Sequence, residues 1–316
     1  MRYRRFAVTT LILLISSLEA QAQTPEAARR YFQQGVKNLA EGNLEVAFEN
    51  YSRAIEISSR LDSPKKSASG LLITNNLNSS DETSRVTVVD PFTAVAYTNR
   101  GIVRNRQNDL DGAIADFNAA LRINPGLAEA YIARGVTYKA KGELDKAGAD
   151  FDRAIAINNH LVEAFIDRAE LRMDRDDPDG AVKDIEAVLK INSRMAEAHY
   201  LFGHIYLTRK DYPRALAAFD RAIELKPQLA PAHHGHGTTE MMLANFDQAI
   251  ADFNRALELN PHLANTYMNR GLALLIKGED AQAQKDFDEC LALKPELKGE
   301  LEHRVQLAKE LRTLKR

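Results

Sequence analysis

Glycine returns in this chain at intervals of 34 residues: Gly101, Gly135, Gly203, Gly237 and Gly271 stand in register, with Ala169 in the one remaining place. Twelve residues after each comes an alanine, Ala113, Ala147, Ala181, Ala215, Ala249 or Ala283, and four further on an aromatic, Phe117, Phe151, Phe219, Phe253 or Phe287. Pro125, Pro227, Pro261 and Pro295 close four of the intervals. A fixed period of this length marks a stacked array, in which one supersecondary unit cannot bury its apolar face until a neighbour covers it. The 316 residues therefore count repeats rather than closed cores. A chain built this way presents a binding surface more naturally than an active site.

Within each period the apolar positions recur at three and four, the spacing of two amphipathic helices. Tyr131, Gly135 and Tyr138 share one face, and Ala147, Phe151, Ala154 and Ile155 share the next. Gly42, Gly142 and Gly278 fall in the break between helices, where a left-handed residue ends the first, and Asn43, Asp109, Asp177, Asp211 and Asn245 follow as candidate caps of the second. Asn124-Pro125 and Asn260-Pro261 end second helices, because the residue before proline is pushed out of the helical region. Glycine and alanine at the crossing positions let two helix axes come close.

This order of aromatic, Gly/Ala, aromatic, Ala, Phe/Tyr, Ala and Pro resembles the tetratricopeptide repeat (TPR) family, and "YTNRG" from Tyr97 and "YMNRG" from Tyr267 look like its bacterial variants. The resemblance implies an all-α fold: a right-handed α-solenoid of about seven helix-turn-helix units, at 28–61, 94–127, 128–161, 162–195, 196–229, 230–263 and 264–297. The unit at 162–195 is degenerate, with Ala169, Ile185 and Val188 at key positions. Residues 62–93 do not fit the period. Their serines and asparagines suit a flexible insertion, while Leu71-Leu72-Ile73 and Val86 to Val89 also allow a short hairpin. Asp90-Pro91 restarts regular structure. Residues 298–316 read as a capping helix, whose stripe of Leu301, Val305, Ala308 and Leu311 closes the array; a dimerisation or membrane-surface helix is the alternative.

At the N-terminus, Arg2, Arg4 and Arg5 precede an apolar run from Phe6 to Ile15 and an Ala20-Gln21-Ala22 cleavage pattern, so residues 1–22 read as a signal peptide. The run is too short to span a bilayer, which takes about 20 apolar residues. The expectation is export to the periplasm, with secretion as the second choice. Without those residues the chain carries 39 basic against 43 acidic side chains, a net charge of −4, which argues against a nucleic-acid partner.

No H-E-x-x-H, G-x-S-x-G or G-x-x-x-x-G-K-[ST] motif is present, and no enzymatic activity is expected. Cys290 takes the place of Ala120, Ala154, Ala222 and Ala256 and reads as a small buried residue. His199, His204, His233, His234 and His236 fall in two adjacent first helices. Stacking can bring His204 near His234, so a metal-handling or enzyme-accessory role for the His199–His236 cluster competes with a purely packed one. The run Asp174 to Asp179 departs from a calcium loop at Pro178 and reads as a charged turn.

The resemblance further implies that first helices line a concave groove. Carried over position by position, it implies a ligand surface of Asn99, Asn105 and Lys139, an acidic centre of Glu163, Asp167 and Glu170, and a C-terminal end of Tyr200, His204, His234, Met241, Met268, Asn269 and Leu272. Such a groove runs from polar through acidic to apolar. No three consecutive units supply the lysine and asparagine set with which some members capture a terminal carboxylate. The asparagine ladder of other members survives only at Asn99 and Asn269, with Ala133, Asp167, Leu201 and Gly235 between. The sequence thus points to a scaffold that holds a peptide or helical segment of a partner protein, with no cofactor, no nucleic acid and no membrane insertion after leader removal. A structural oligomerisation module is a third reading.

Overall fold

The computed structural model describes residues 24–59 and 91–314. The expected leader lies outside them, as does the expected insertion apart from its last three residues. Among the described residues are fifteen α-helices, one 3-10 turn and no strand. The chain divides into two compact units, residues 1–171 and 172–316. The first holds three helical hairpins: α1 (Glu26–Glu41) with α2 (Leu44–Ser59), α3 (Pro91–Arg106) with α4 (Leu110–Ile123), and α5 (Ala128–Lys141) with α6 (Leu144–Ile157). Most of α7 (Val162–Asp174) follows, so the division falls inside the degenerate repeat. The second unit begins with α8 (Pro178–Ile191) and continues in three hairpins: α9 (Ala196–Thr208) with α10 (Tyr212–Leu225), α11 (Ala230–Met242) with α12 (Phe246–Leu259), and α13 (Ala264–Lys277) with α14 (Asp280–Leu293). A 3-10 turn at Pro295–Leu297 leads into α15 (Lys298–Leu314), which packs on α13.

Each hairpin turns through one left-handed residue. Glycine holds that place after α1, α5 and α13, with φ of 82°, 80° and 93° at Gly42, Gly142 and Gly278. The corresponding residue is Asn108, Asp176, Lys210 or Ala244 elsewhere, with φ between 58° and 67°. A side chain in that conformation costs about 1–2 kcal/mol. Asp109 and Asp177 then cap the next helix, their Oδ1 atoms accepting from the backbone N–H of Gly112 at 3.0 Å and of Gly180 at 2.9 Å. Asn245 was expected to do the same and does not: its amide donates to Glu240 at 2.7 Å instead.

The glycines of the period are needed because an aromatic ring lies against each. A Cβ on Gly101 would sit 2.6 Å from the Phe117 ring, one on Gly135 2.7 Å from Phe151, and one on Gly271 2.5 Å from Phe287. Phe219 is held on two sides, by Gly203 in its own hairpin and by Gly235 in the next, at 2.7 and 2.5 Å. These rings are buried, and packing of this kind tolerates neither a cavity nor an added methyl group.

A second repeating contact accompanies the first. The residue before the glycine is Arg100, Arg134 or Arg270, and its guanidinium grips, with two hydrogen bonds, the aspartate sixteen residues on. The distances are 2.9 and 2.7 Å to Asp116, 2.8 and 2.7 Å to Asp150, and 2.8 and 2.6 Å to Asp286. The remaining nitrogen reaches back to the preceding second helix, from Arg134 to Asn118 at 2.6 Å and from Arg270 to Asn254 at 2.7 Å. One side chain thereby ties three helices together. In the α9–α10 hairpin the pair is replaced by Phe202 and Ala218. In α11 it is replaced by His236, whose Nδ1 lies 2.7 Å from Asp252 and whose Nε2 lies 3.3 Å from Asp220.

Breaking one partner of a desolvated pair leaves the other charge stranded, whereas replacing both by apolar groups is close to neutral. Asp150→Ala is therefore expected to lower stability by about 3 kcal/mol, measured by chemical unfolding followed by circular dichroism. The double variant Arg134→Phe, Asp150→Ala, which copies the Phe202/Ala218 pair, should recover at least half of that loss. His236 adds a pH dependence. Burial lowers the pKa of its imidazole, but the hydrogen bond to Asp252 and the charges of Asp252, Asp220 and Glu240 outweigh this and raise it. Stability from this histidine is then complete below the unfolded value near 6.5 and fades as pH climbs through the raised folded value. The unfolding midpoint should fall with rising pH above about 6.5, and His236→Arg should make that fall shallower.

Candidate interaction site

In the first unit, the expected ligand surface divides into enclosed and accessible residues. Asn99 is completely buried in α3, beside the Tyr51 hydroxyl, and belongs to the interior. Asn105 is half-buried and donates to the Thr137 hydroxyl, which in turn donates to the Ala133 carbonyl at 2.8 Å. This joins α3 to α5. Lys139 on α5 meets Glu170 on α7 at 3.2 Å. Glu163, Asp167 and Glu170 occupy one stripe of α7, at the helical spacing of four and three. The half-buried Glu163 and Glu170 flank Asp167, which is only 4% exposed. Burial is the main cause that pushes the Asp167 carboxyl up to about 8; Glu170 adds to it, Lys139 opposes it, and Glu163 contributes the remainder.

The first helices of the second unit are more enclosed. Tyr200 is buried with its ring 6.1 Å from that of Phe219. His204 and His234 do come together, and burial, with His204 and Arg304 adding to it, pushes the His234 imidazole down to about 4. The histidines are otherwise engaged in different directions. His234 Nδ1 exchanges a hydrogen bond with Thr266 at 2.9 Å, and His199 and His233 donate to the Ser193 and Pro227 carbonyls at 3.1 and 3.0 Å. Among the described residues, no three histidine, cysteine or acidic side chains are placed to hold a metal ion. Cys290 is buried, and burial raises its thiol pKa.

The apolar end of the expected groove differs most. Met268 and Leu272 are 1% and 4% exposed and share a buried cluster with Leu301 and Ala308 of α15. Asn269 is buried too. Its carbonyl oxygen accepts from Arg304 of α15 at 3.1 Å and its amide donates to Thr238 at 3.3 Å. The chain's own last helix therefore covers these three residues, because the stripe of α15 and the apolar face of α13 bury each other. Of the C-terminal set, Tyr200 lies outside this seal, buried against Phe219, and so do His204, His234 and Met241, which are half-buried. The residues that the sequence reading passed over are the arginine–aspartate pairs. Their signal was present as Arg-Gly followed sixteen residues later by Asp-Phe.

Profiles described as "Tetratricopeptide repeat" match residues 166–230, 235–297 and 128–160, and one described as "TPR repeat" matches 101–142. Together with the hairpins and their Gly–aromatic contacts, this shows that the chain belongs to the tetratricopeptide repeat family, whose members generally mediate protein–protein interaction and are typically non-enzymatic scaffolds. Among solved structures, a tetratricopeptide repeat protein from Parabacteroides merdae is similar at a TM-score of 0.64 and 19% identity, covering 90% of this chain and 100% of that one. The Cut9–Hcn1 hetero-tetramer of the APC/C is similar at 0.59 and 21% identity, covering 67% of this chain and 42% of that one. At these identities the likeness is one of fold. No curated protein matches the chain. Among the described residues, no helix is long and apolar enough to cross a membrane.

The burial of α13 yields a test. Leu272→Asp should lower the thermal unfolding midpoint by several degrees and loosen α15, read as faster hydrogen exchange over residues 298–314, because a carboxylate would enter an apolar seam. Met241→Asp should leave both unchanged.

Proposed function

We propose that this protein is an exported, periplasmic, non-enzymatic scaffold that docks a segment of a partner protein on the first-helix face of its first unit. The observation that carries this reading is a division of labour among the side chains. Glycines, rings and arginine–aspartate pairs are spent on holding helices together, while the variable first-helix positions Asn105, Lys139, Glu163 and Glu170 keep polar atoms partly exposed. Side chains of this kind select a partner by charge and hydrogen bonding, and a repeat array supplies the extended surface that a protein segment needs. Export rests on the basic, apolar and A-x-A pattern of residues 1–22. The apolar end is assigned no ligand here, since α15 covers it.

The test is a photo-crosslinking residue placed at Asn105 and, separately, at Asp111, whose carboxylate is exposed on the second helix α4. Probed in the periplasm of the native host, Asn105 should yield a discrete adduct and Asp111 none. Equal adducts at both positions would remove the first-helix face as the docking surface, and absence of the protein from the periplasmic fraction would remove the export part.

A further inference from the structure

We propose that the face formed by α5 and α7 holds one cationic side chain, an arginine or lysine of a partner protein segment, against the carboxylate of Asp167, with Glu163 and Glu170 on either side. This rests on the docking reading above and names the chemistry its partner must bring.

Four observations converge. Three carboxyls line one stripe of α7, and Lys139 faces them from α5, its ammonium engaged by Glu170 at 3.2 Å. Asp167 is enclosed to more than nine-tenths, and among the described residues its Oδ2 has no hydrogen-bond partner. A buried acceptor left unmatched is costly, and natural structures keep few of them without a use. Position is the third point. The residues at this place in successive repeats are Asn99, Ala133, Asp167, Leu201, Gly235 and Asn269, and of the six only Asp167 can ionise. The requirement for a charge is thus specific to this repeat. Fourth, a hard metal ion would need several oxygens converging on one point. Among the described residues no acidic group is arranged for that. An ammonium or guanidinium needs only one or two oxygens and brings its own directed donors.

The empty and occupied states differ by a proton. At neutral pH the buried carboxyl, with a pKa raised to about 8, is protonated. When the cation enters, the O–H proton leaves to solvent and the carboxylate pairs with the incoming N–H donors, so charge balances with one proton released per cation bound. Affinity must therefore rise with pH up to about the pKa of the empty site and level off above it, changing by about tenfold per pH unit at most below it. Glu163, Glu170 and Lys139 are the other ionisable groups facing Asp167.

The experiment uses the full chain and pools of nonapeptides with randomised flanks and one fixed central residue: arginine, lysine, citrulline or glutamate. At pH 8 the arginine and lysine pools should be retained at least tenfold better than the citrulline pool, and retention should fall at least tenfold at pH 6. Asp167→Asn, which keeps shape and hydrogen bonding, should abolish both the preference and the pH dependence. Its unchanged circular dichroism and unfolding midpoint would show that the fold is intact; if Asp167→Asn unfolds, Glu163→Gln with Glu170→Gln serves as the second variant and should weaken retention of the cationic pools severalfold. Equal retention of cationic and citrulline pools, no pH dependence, or retention indifferent to these variants would overturn the proposal. If that occurs while Asn105 still gives its discrete adduct, the cation site fails and the docking reading stands. If neither pools nor adducts discriminate, the docking reading fails as well.

Discussion

How closely the two helices of a hairpin can approach sets almost everything else in this protein. The approach is made possible by a residue without a side chain facing a ring sixteen positions later, as Gly135 faces Phe151 and Gly271 faces Phe287. With the axes that near, the residue before the glycine is brought within reach of the second helix of its own hairpin and of the one before it. Arginine fits because its planar fork satisfies an aspartate with two bonds and still has a donor left for the other neighbour. Packing within a hairpin and cohesion between hairpins therefore share one geometric origin.

Once the regular positions are committed in this way, individuality is left to the others. The first unit spends them on polar and acidic side chains, among them the buried Asp167. The second spends them on enclosure: α13 turns its methionine and leucines toward α15, and Arg304 and Arg312 fasten that helix to Asn269, Asp280 and the Leu275 carbonyl. In a stacked array an apolar helix face needs a neighbour to cover it. Here the cover comes from the chain itself.

Fold and family were legible in the sequence because they rest on residues that repeat. Gly101 and Phe117, or Asp177 and its cap, announce themselves by recurrence. The candidate surface was less legible, because burial is not periodic. Asn99 and Asn269 share a sequence position, yet the first is enclosed beside Tyr51 and the second beneath Arg304, through contacts each makes with elements outside its own repeat. Met268 and Leu272 read as exposed for the same reason: nothing in their own 34 residues tells that α15 will lie on them. The arginine–aspartate pairs recur in the pattern too, but only the close approach of the helices brings them together and desolvates them.

Arg100 reaches back to Ser52 at 3.2 Å, a separation of 48 residues, where Arg134 and Arg270 make the equivalent contact across 16. The spatial step from α2 to α3 is thus the same step taken elsewhere, although the stretch of sequence between them is far longer. Thr93 likewise meets Ser58 at 2.8 Å, and the Phe92 ring lies 5.2 Å from that of Phe32. Distance along the chain and distance along the stack have come apart at this one junction. The first unit keeps its helix-to-helix step here while its sequence lengthens, which makes this junction a place where length can be gained or lost in evolution without disturbing the register of α2 and α3.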